Sequence, residues 1–376
     1  MQKFNQKKHQ HRLLAFFFDF KILSQKRQTK NSISFGGYMK KFFSFLLIFA
    51  ILFSTCIFIS GCKSDGDKKV IKINQVTNSL FYAPFYVAIN NGYFEDEGYT
   101  IDLTTAEGSN TTNVALMTNS ADIGLMGPEQ NIYSYVGGDD NYPIAFAQLT
   151  KRDGSFLISR KAEPDFDWSN LAGKHIIAGR KGGSPAMSLQ LALEKNGYDI
   201  SKDLTFDTSI SFANIAGSFL SGVGDYMTLF EPSASEFQKS GKGYIVASVG
   251  AESGEIPFTC FSANKSFIQQ NPQVIIAFLK ALNRGLNFVK TAKIDDVVKA
   301  IQPSFSASTA DSIKTAVQNY IDSDAWDDDL IMSSEAFDRL ILMLKTAGEL
   351  EKTTTVGFES IVDNNFATLV KAEFRL

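Results

Sequence analysis

Between Val70 and Gly92 the hydrophobic period changes from two residues to 3.6 within a dozen positions, and no other feature constrains the fold more. In Val70–Gln75, Ile71 and Ile73 alternate with Lys72 and Asn74, which predicts a strand. Asn78 and Ser79 are of helix-capping type, and Pro84 suits a first helical turn. Phe85, Ala88 and Ile89 then share one helical face, and Gly92 stops the helix. The unit is strand, loop, helix. In open α/β sheets such a loop lies at the carboxyl end of its strand, where ligands bind, and the helix start offers unpaired N–H groups to an anion. Phe81 and Tyr82 occupy the loop, either facing a ligand or packing beneath it.

The same alternation continues. Strands are predicted at Tyr99–Thr105, Ala121–Met126 and Ile144–Gln148, with helices at Thr112–Asn119 and from Gly127-Pro128-Glu129 to Tyr135. This order implies a parallel α/β sheet. Ser155–Ser159 is extended, and a charged connection over Arg160–Asp167 opens a second series: strands at His175–Ala178, Leu204–Phe206, Tyr226–Leu229 and Tyr244–Val249, helices at Ala186–Asn196 and Ile210–Ser221. Phe258–Ala263 is extended, and from Asn264 the chain is almost wholly helical, with a strong amphipathic helix from Asn271-Pro272 to Val289. One lobe is therefore expected from 70–159 plus 254–376 and a second from 160–253. Two crossings, near Leu149–Ser159 and Gly250–Phe258, would leave a ligand cleft between the lobes, with the C-terminal helices covering the first.

Charge is distributed unevenly. Residues 1–41 hold ten Lys/Arg against Asp19 alone, and 42–61 hold no charge. Of the 37 bases and 40 acids in the chain, 27 bases and 39 acids remain for the rest, a net of −12. An acidic body argues against nucleic acid as a partner. Cys260 and His175 are the only Cys and His beyond Cys62, too few for a disulfide framework, a metal site or a Ser-His-Asp triad. No metal or cofactor is expected. Met39-Lys40-Lys41 followed by the apolar run Phe42–Gly61 reads as a secretory signal over 39–61, which makes 1–38 an extension from a mis-assigned start. Ile59-Ser60-Gly61-Cys62 resembles a bacterial lipobox, in which the Cys is lipidated, and the polar stretch 62–69 would be a tether. An uncleaved membrane helix is the alternative, because 20 apolar residues can span a bilayer.

Four motifs in order resemble the substrate-binding proteins of ABC importers in the NMT1/THI5-like group, which handles nitrate, sulfonates, taurine and a thiamine pyrimidine precursor. They are Ala83-Pro84-Phe85-Tyr86-Val87-Ala88 with Asn91-Gly92-Tyr93-Phe94; Ala121-Asp122-Ile123-Gly124; Asp225-Tyr226 through Phe230-Glu231-Pro232; and Asn271-Pro272 with Val362-Asp363-Asn364-Asn365-Phe366. The resemblance covers about residues 70–370. It implies a periplasmic-binding-protein-like pair of α/β lobes closing on a small-molecule ligand. It also implies a lipid-anchored monomer on the extracytoplasmic face of a bacterial membrane, ABC permease subunits as partners, and no catalysis. A membrane-anchored sensing module and a thiamine-pyrimidine-synthase-like enzyme are the alternatives. The enzyme needs a cysteine-rich stretch that is missing here, and fold alone does not decide function.

Candidate ligand-binding residues are those on loops at strand ends: Asn78, Phe81, Tyr82, Ser109, Asn110, Glu129, Gln148 and Arg152 in the first lobe, and Ser184, Tyr226 and Glu231 in the second. Gly182-Gly183-Ser184 before a helix could hold an oxyanion or act as an ordinary cap. Arg152 could bind a carboxylate or sulfonate, or pair with Asp153. Glu129 could accept from an amine or favour its helix start. Tyr82 and Glu231 are expected as opposite jaws, Glu231 having the alternative of a helix-end carboxylate. His175 is expected to be structural, and Asp327-Asp328-Asp329 a solvated turn.

Overall fold

A computed structural model describes residues 68–373. The expected extension, signal and lipidation site at Cys62 lie outside the described residues. Among the described residues, no helix is long and apolar enough to cross a membrane.

Among the described residues, ten strands form two five-stranded sheets. They are β1 (Lys69–Gln75), β2 (Tyr99–Thr105), β3 (Ile123–Met126), β4 (Pro143–Thr150), β5 (Ser155–Ser159), β6 (His175–Ile177), β7 (Thr205–Asp207), β8 (Tyr226–Phe230), β9 (Tyr244–Ser248) and β10 (Thr259–Asn264). The first sheet has the order β2-β1-β3-β10-β4 and the second β7-β6-β8-β5-β9. The principal helices are α1 (Ala83–Asn90), α2 (Ser109–Met117), α3 (Glu129–Val136), α4 (Ser184–Lys195), α5 (Ser233–Lys239), α6 (Pro272–Thr291), α7 (Ala310–Asp322) and α8 (Ser334–Thr346).

Neither sheet is purely parallel. β10 runs antiparallel to β3 and β4, and β5 antiparallel to β8 and β9. These are the two strands that follow a crossing. They start at the cleft, whereas β1, β3, β6 and β8 end there, so opposite direction follows from connectivity. The first crossing is short: Ser155–Ser159 already pairs in the second sheet, so the chain leaves the first sheet after Thr150 rather than after Ser159.

Local chemistry follows the opening motif closely. The Ser79 hydroxyl accepts the N–H of Phe81 at 3.2 Å and caps a single 3-10 turn, Leu80–Tyr82. Pro84 stands in the first turn of α1. α6 buries Ile275, Phe278, Leu279, Leu282, Leu286 and Val289, one stripe at helical spacing, against α1. Gly285 lets the two helices approach until a Cβ there would lie 2.1 Å from the carbonyl oxygen of Pro84. Edge-to-face contacts join Phe261 to Phe278 at 4.8 Å and to Phe85 at 5.2 Å between ring centres.

The C-terminal helices do more than cover the first sheet. α7 touches both the Leu80–Tyr82 turn and α5, and α8 packs on α4. The Tyr320 hydroxyl of α7 accepts the N–H of Glu231 at 3.0 Å. The apolar face of α8, with Phe337, Leu340, Met343 and Leu344, shares a core with Met187 of α4. The C-terminal segment therefore straps the two sheets together.

Candidate functional site

The carboxyl ends of β1, β3, β6 and β8 face one another across the cleft, as strand ends do at ligand sites in open α/β sheets. Between them lies a cavity of about 80 Å³, several times the room one water needs. Its polar lining residues are Thr77 after β1, Ser109 at the start of α2, Arg180 after β6 and Ser184 at the start of α4. Its apolar walls are Phe212, Ile215, Phe230 and Phe258.

Two helix starts point at this space. Among the described residues, no main-chain acceptor takes the N–H of Ser109 or of Ser184, as expected for first-turn groups. The Ser109 hydroxyl accepts the N–H of Gly127 at 3.2 Å, which fixes its oxygen and leaves its proton to donate. Arg180 is exposed at the mouth; its Nη1 donates to the Lys181 carbonyl at 3.0 Å, and no carboxylate lies within ion-pair distance among the described residues. Unpaired donors, a positive helix end and a free guanidinium together form an environment for an anion.

Of the residues expected at the site, Ser109 and Ser184 line the cavity. Glu129 lies directly behind it, fully buried, its Oε2 accepting from the Ser184 hydroxyl at 2.7 Å across the cleft. Burial raises its pKa, opposed by the Ser184 hydrogen bond and the charge of Arg180.

The other expected residues lie outside the lining, each for a stated reason. The Asn78 carboxamide accepts from Tyr86 at 2.6 Å. Phe81 is buried among Tyr320, Phe230 and Phe258, with ring centres 5.0–5.8 Å away. Tyr82 is buried against it, and burial pushes its hydroxyl pKa up. Asn110 is exposed on α2, Gln148 is buried in β4, and Arg152 pairs with Asp324 at 3.5 Å rather than with Asp153. The Tyr226 hydroxyl donates to Glu163 at 2.8 Å, one strand length from the cleft.

Glu231 is not a jaw. Its buried carboxylate accepts from the Ser235 N–H at 3.0 Å, the Ser235 hydroxyl at 2.7 Å and Asn319 at 2.6 Å, so the helix-end reading holds. His175 pairs with Asp207 at 3.2 Å away from the cavity. The acidic run is solvated only in part: Asp327 is buried, whereas Asp328 is exposed and meets Lys290 at 2.8 Å and Lys151 at 3.0 Å, and Asp329 meets Lys371. The Lys290 and Lys151 hydrogen bonds lower the Asp328 pKa to about 2.

Sequence reasoning passed over Arg180, Thr77, Thr228 and the Phe212, Phe230 and Phe258 walls. Two signals were available. Arg180-Lys181 precedes the Gly-Gly-Ser start of α4, so the anion site carries its own cation. On β8, Thr228 and Phe230 share one face, so the inward residue at the strand end is Phe230 and not Glu231.

Comparison with known proteins agrees with this architecture. The family model described as "NMT1/THI5 like" matches residues 81–292. A Bacillus subtilis (strain 168) protein named "Putative binding protein YtlA" is 37% identical over 315 residues, spanning 84% of this chain and 94% of that protein. Two solved structures share the fold at low identity. One is described as the ligand binding component of an ABC-type import system from Staphylococcus aureus with zinc bound (TM-score 0.65, 14% identity, 80% of this chain and 98% of that one). The other is the alkanesulfonate-binding protein SsuA from Xanthomonas axonopodis pv. citri bound to MOPS (TM-score 0.63, 17% identity, 78% and 98%). Among the described residues here, no group of three His, Cys, Asp or Glu could hold a metal ion.

Proposed function

The chain belongs to the NMT1/THI5-like family, and on that premise we propose that it is the solute-binding receptor of an ABC importer, carrying an organic anion with an apolar body. The named relatives are binding proteins, not enzymes, and one of them is the alkanesulfonate receptor described above. One observation carries the reading: Ser109, Ser184, Arg180 and two helix starts line the same cavity as Phe212, Phe230 and Phe258. The polar groups suit a sulfonate or carboxylate, and the phenyl walls suit a carbon chain or ring more than a bare inorganic ion. The receptor acts outside the cytoplasm, anchored through lipid on Cys62, and hands its ligand to permease subunits.

Calorimetric titration with nitrate, methanesulfonate and butanesulfonate tests this. Butanesulfonate should bind most tightly. Arg180→Gln and Ser184→Ala should each weaken it at least tenfold, about 1.4 kcal/mol. No binding by any of the three, or variants that bind like wild type, would refute the reading.

A further inference from the structure

Ser184 has one hydroxyl proton and two demands on it. Ser184 lines the cavity, and its hydroxyl oxygen lies 2.7 Å from Glu129 Oε2. If Glu129 is ionised, Ser184 must donate to it and presents only lone pairs to the cavity. If Glu129 is protonated, the carboxyl donates to Ser184, and the Ser184 proton turns to the ligand. An anion needs the second arrangement.

On the anion-receptor reading above, we propose that Glu129 is a positioning residue that directs the Ser184 hydroxyl, so that the cleft takes up one proton together with its anion.

The surroundings are built for a neutral carboxyl. Glu129 has no exposed surface. Gly127 yields its side-chain space to the Glu129 carboxyl: a Cβ there would lie 1.9 Å from Oε2. The other carboxyl oxygen accepts a long 3.3 Å contact from the Gln130 amide. Tyr133 faces Glu129 from the same helix, Tyr82 from the turn before α1 and Cys260 from β10, all uncharged. Among the described residues, Arg180 is the cation acting on the carboxyl, and its charge favours the ionised form against burial; Glu349 and Arg180 act in opposite directions on the neighbouring Tyr133. Burial, the largest influence on Glu129, favours its protonated form. A bound anion beside it favours that form further, and by linkage the protonated form favours the anion.

The experiment is calorimetry with butanesulfonate at pH 5.5, 7.0 and 8.5, in pairs of buffers that differ in ionisation enthalpy. Wild type should bind at least tenfold more weakly at pH 8.5 than at pH 5.5 and should take up a fraction of a proton that approaches one. Glu129→Gln keeps a donor toward Ser184 and cannot titrate, so its affinity should be flat with pH and near the low-pH wild-type value. Ser184→Ala removes the relay and should also lose the pH slope, at lower affinity. A wild-type affinity that does not change with pH, without proton uptake, overturns the proposal. So does a Glu129→Gln variant that keeps the wild-type slope, which would move the proton elsewhere, with Asp153 and Asp327 first in line. Failure to bind at any pH removes the anion-receptor reading and this inference with it, whereas pH-independent binding removes the inference alone.

Discussion

Raising the pH from 5 to 8 should destabilise this protein, and two buried aspartates account for most of the fall. Asp153 lies in the first crossing, 1% exposed. Its Oδ1 accepts the Ser155 N–H at 2.6 Å, while Oδ2 has no hydrogen-bond partner among the described residues. Asp327 lies in the segment strapped beside that crossing, its N–H donated to the Leu149 carbonyl at 2.9 Å, and its Oδ2 likewise has no partner among the described residues. Burial raises both from 3.8 to about 7, the neighbouring Asp329 and Asp328 charges adding to the effect on Asp327. In the unfolded chain both ionise near pH 4. Between pH 4 and 7 the unfolded state therefore binds fewer protons than the native state, and stability falls as pH rises, flattening above about 7. Each unit of pH costs about 1.4 kcal/mol per group, so each aspartate removes on the order of 3 kcal/mol between pH 5 and pH 8. Against a usual total of about 5–15 kcal/mol that is a large share. Urea unfolding across this range measures it directly. Asp153→Asn keeps the acceptor for Ser155 and cannot ionise, so it should recover about half of the loss. A wild-type stability that is equal at pH 5 and pH 8, or an Asp153→Asn slope as steep as wild type, would refute the reasoning.

Glu231→Gln should lower stability by about 1–3 kcal/mol, because an amide cannot accept from Ser235 and Asn319 with both of its ends, and it should leave butanesulfonate affinity within twofold of wild type. A selective loss of affinity, read by calorimetry, would return Glu231 to the site. Gly285→Ala gains up to about 1 kcal/mol of helix propensity but meets the main-chain oxygen of Pro84, which cannot swing away, so thermal melting should show a net loss of about 2 kcal/mol. Cys62→Ser should release the protein from the membrane or leave it unprocessed there, since anchoring through lipid contributes about 0.8 kcal/mol per buried CH₂. Native protein without lipid, seen by mass spectrometry, would contradict the anchor.

The alternation of strands and helices was legible in the sequence because each unit announces itself locally. Ile71 and Ile73 set a two-residue period, Ser79 and Pro84 open a helix, and α6 carries a single apolar stripe. What local pattern could not show was where long-range geometry sends a side chain. Ser155–Ser159 reads as extended in either sheet, and only pairing with β8 and β9 assigns it to the second. Phe81 and Tyr82 sit in a loop, yet α7 and the crossing at Phe258 close over them and make that loop core. Glu231 stands one residue past the inward-facing Phe230, and a shift of one residue on a strand reverses the face. Ser184 could be named from its glycines and the helix it opens, whereas its partner Glu129 becomes meaningful only when the two sheets meet.

The most direct test of the account is a crystal structure of the protein with butanesulfonate, the sulfur located by its anomalous signal. The account predicts the sulfur between the starts of α2 and α4, its oxygens within hydrogen-bond distance of Ser109, Ser184 and Arg180, and its chain along Phe230 and Phe258. Sulfur density in any other cleft of the molecule, with this cavity holding only water, would contradict it.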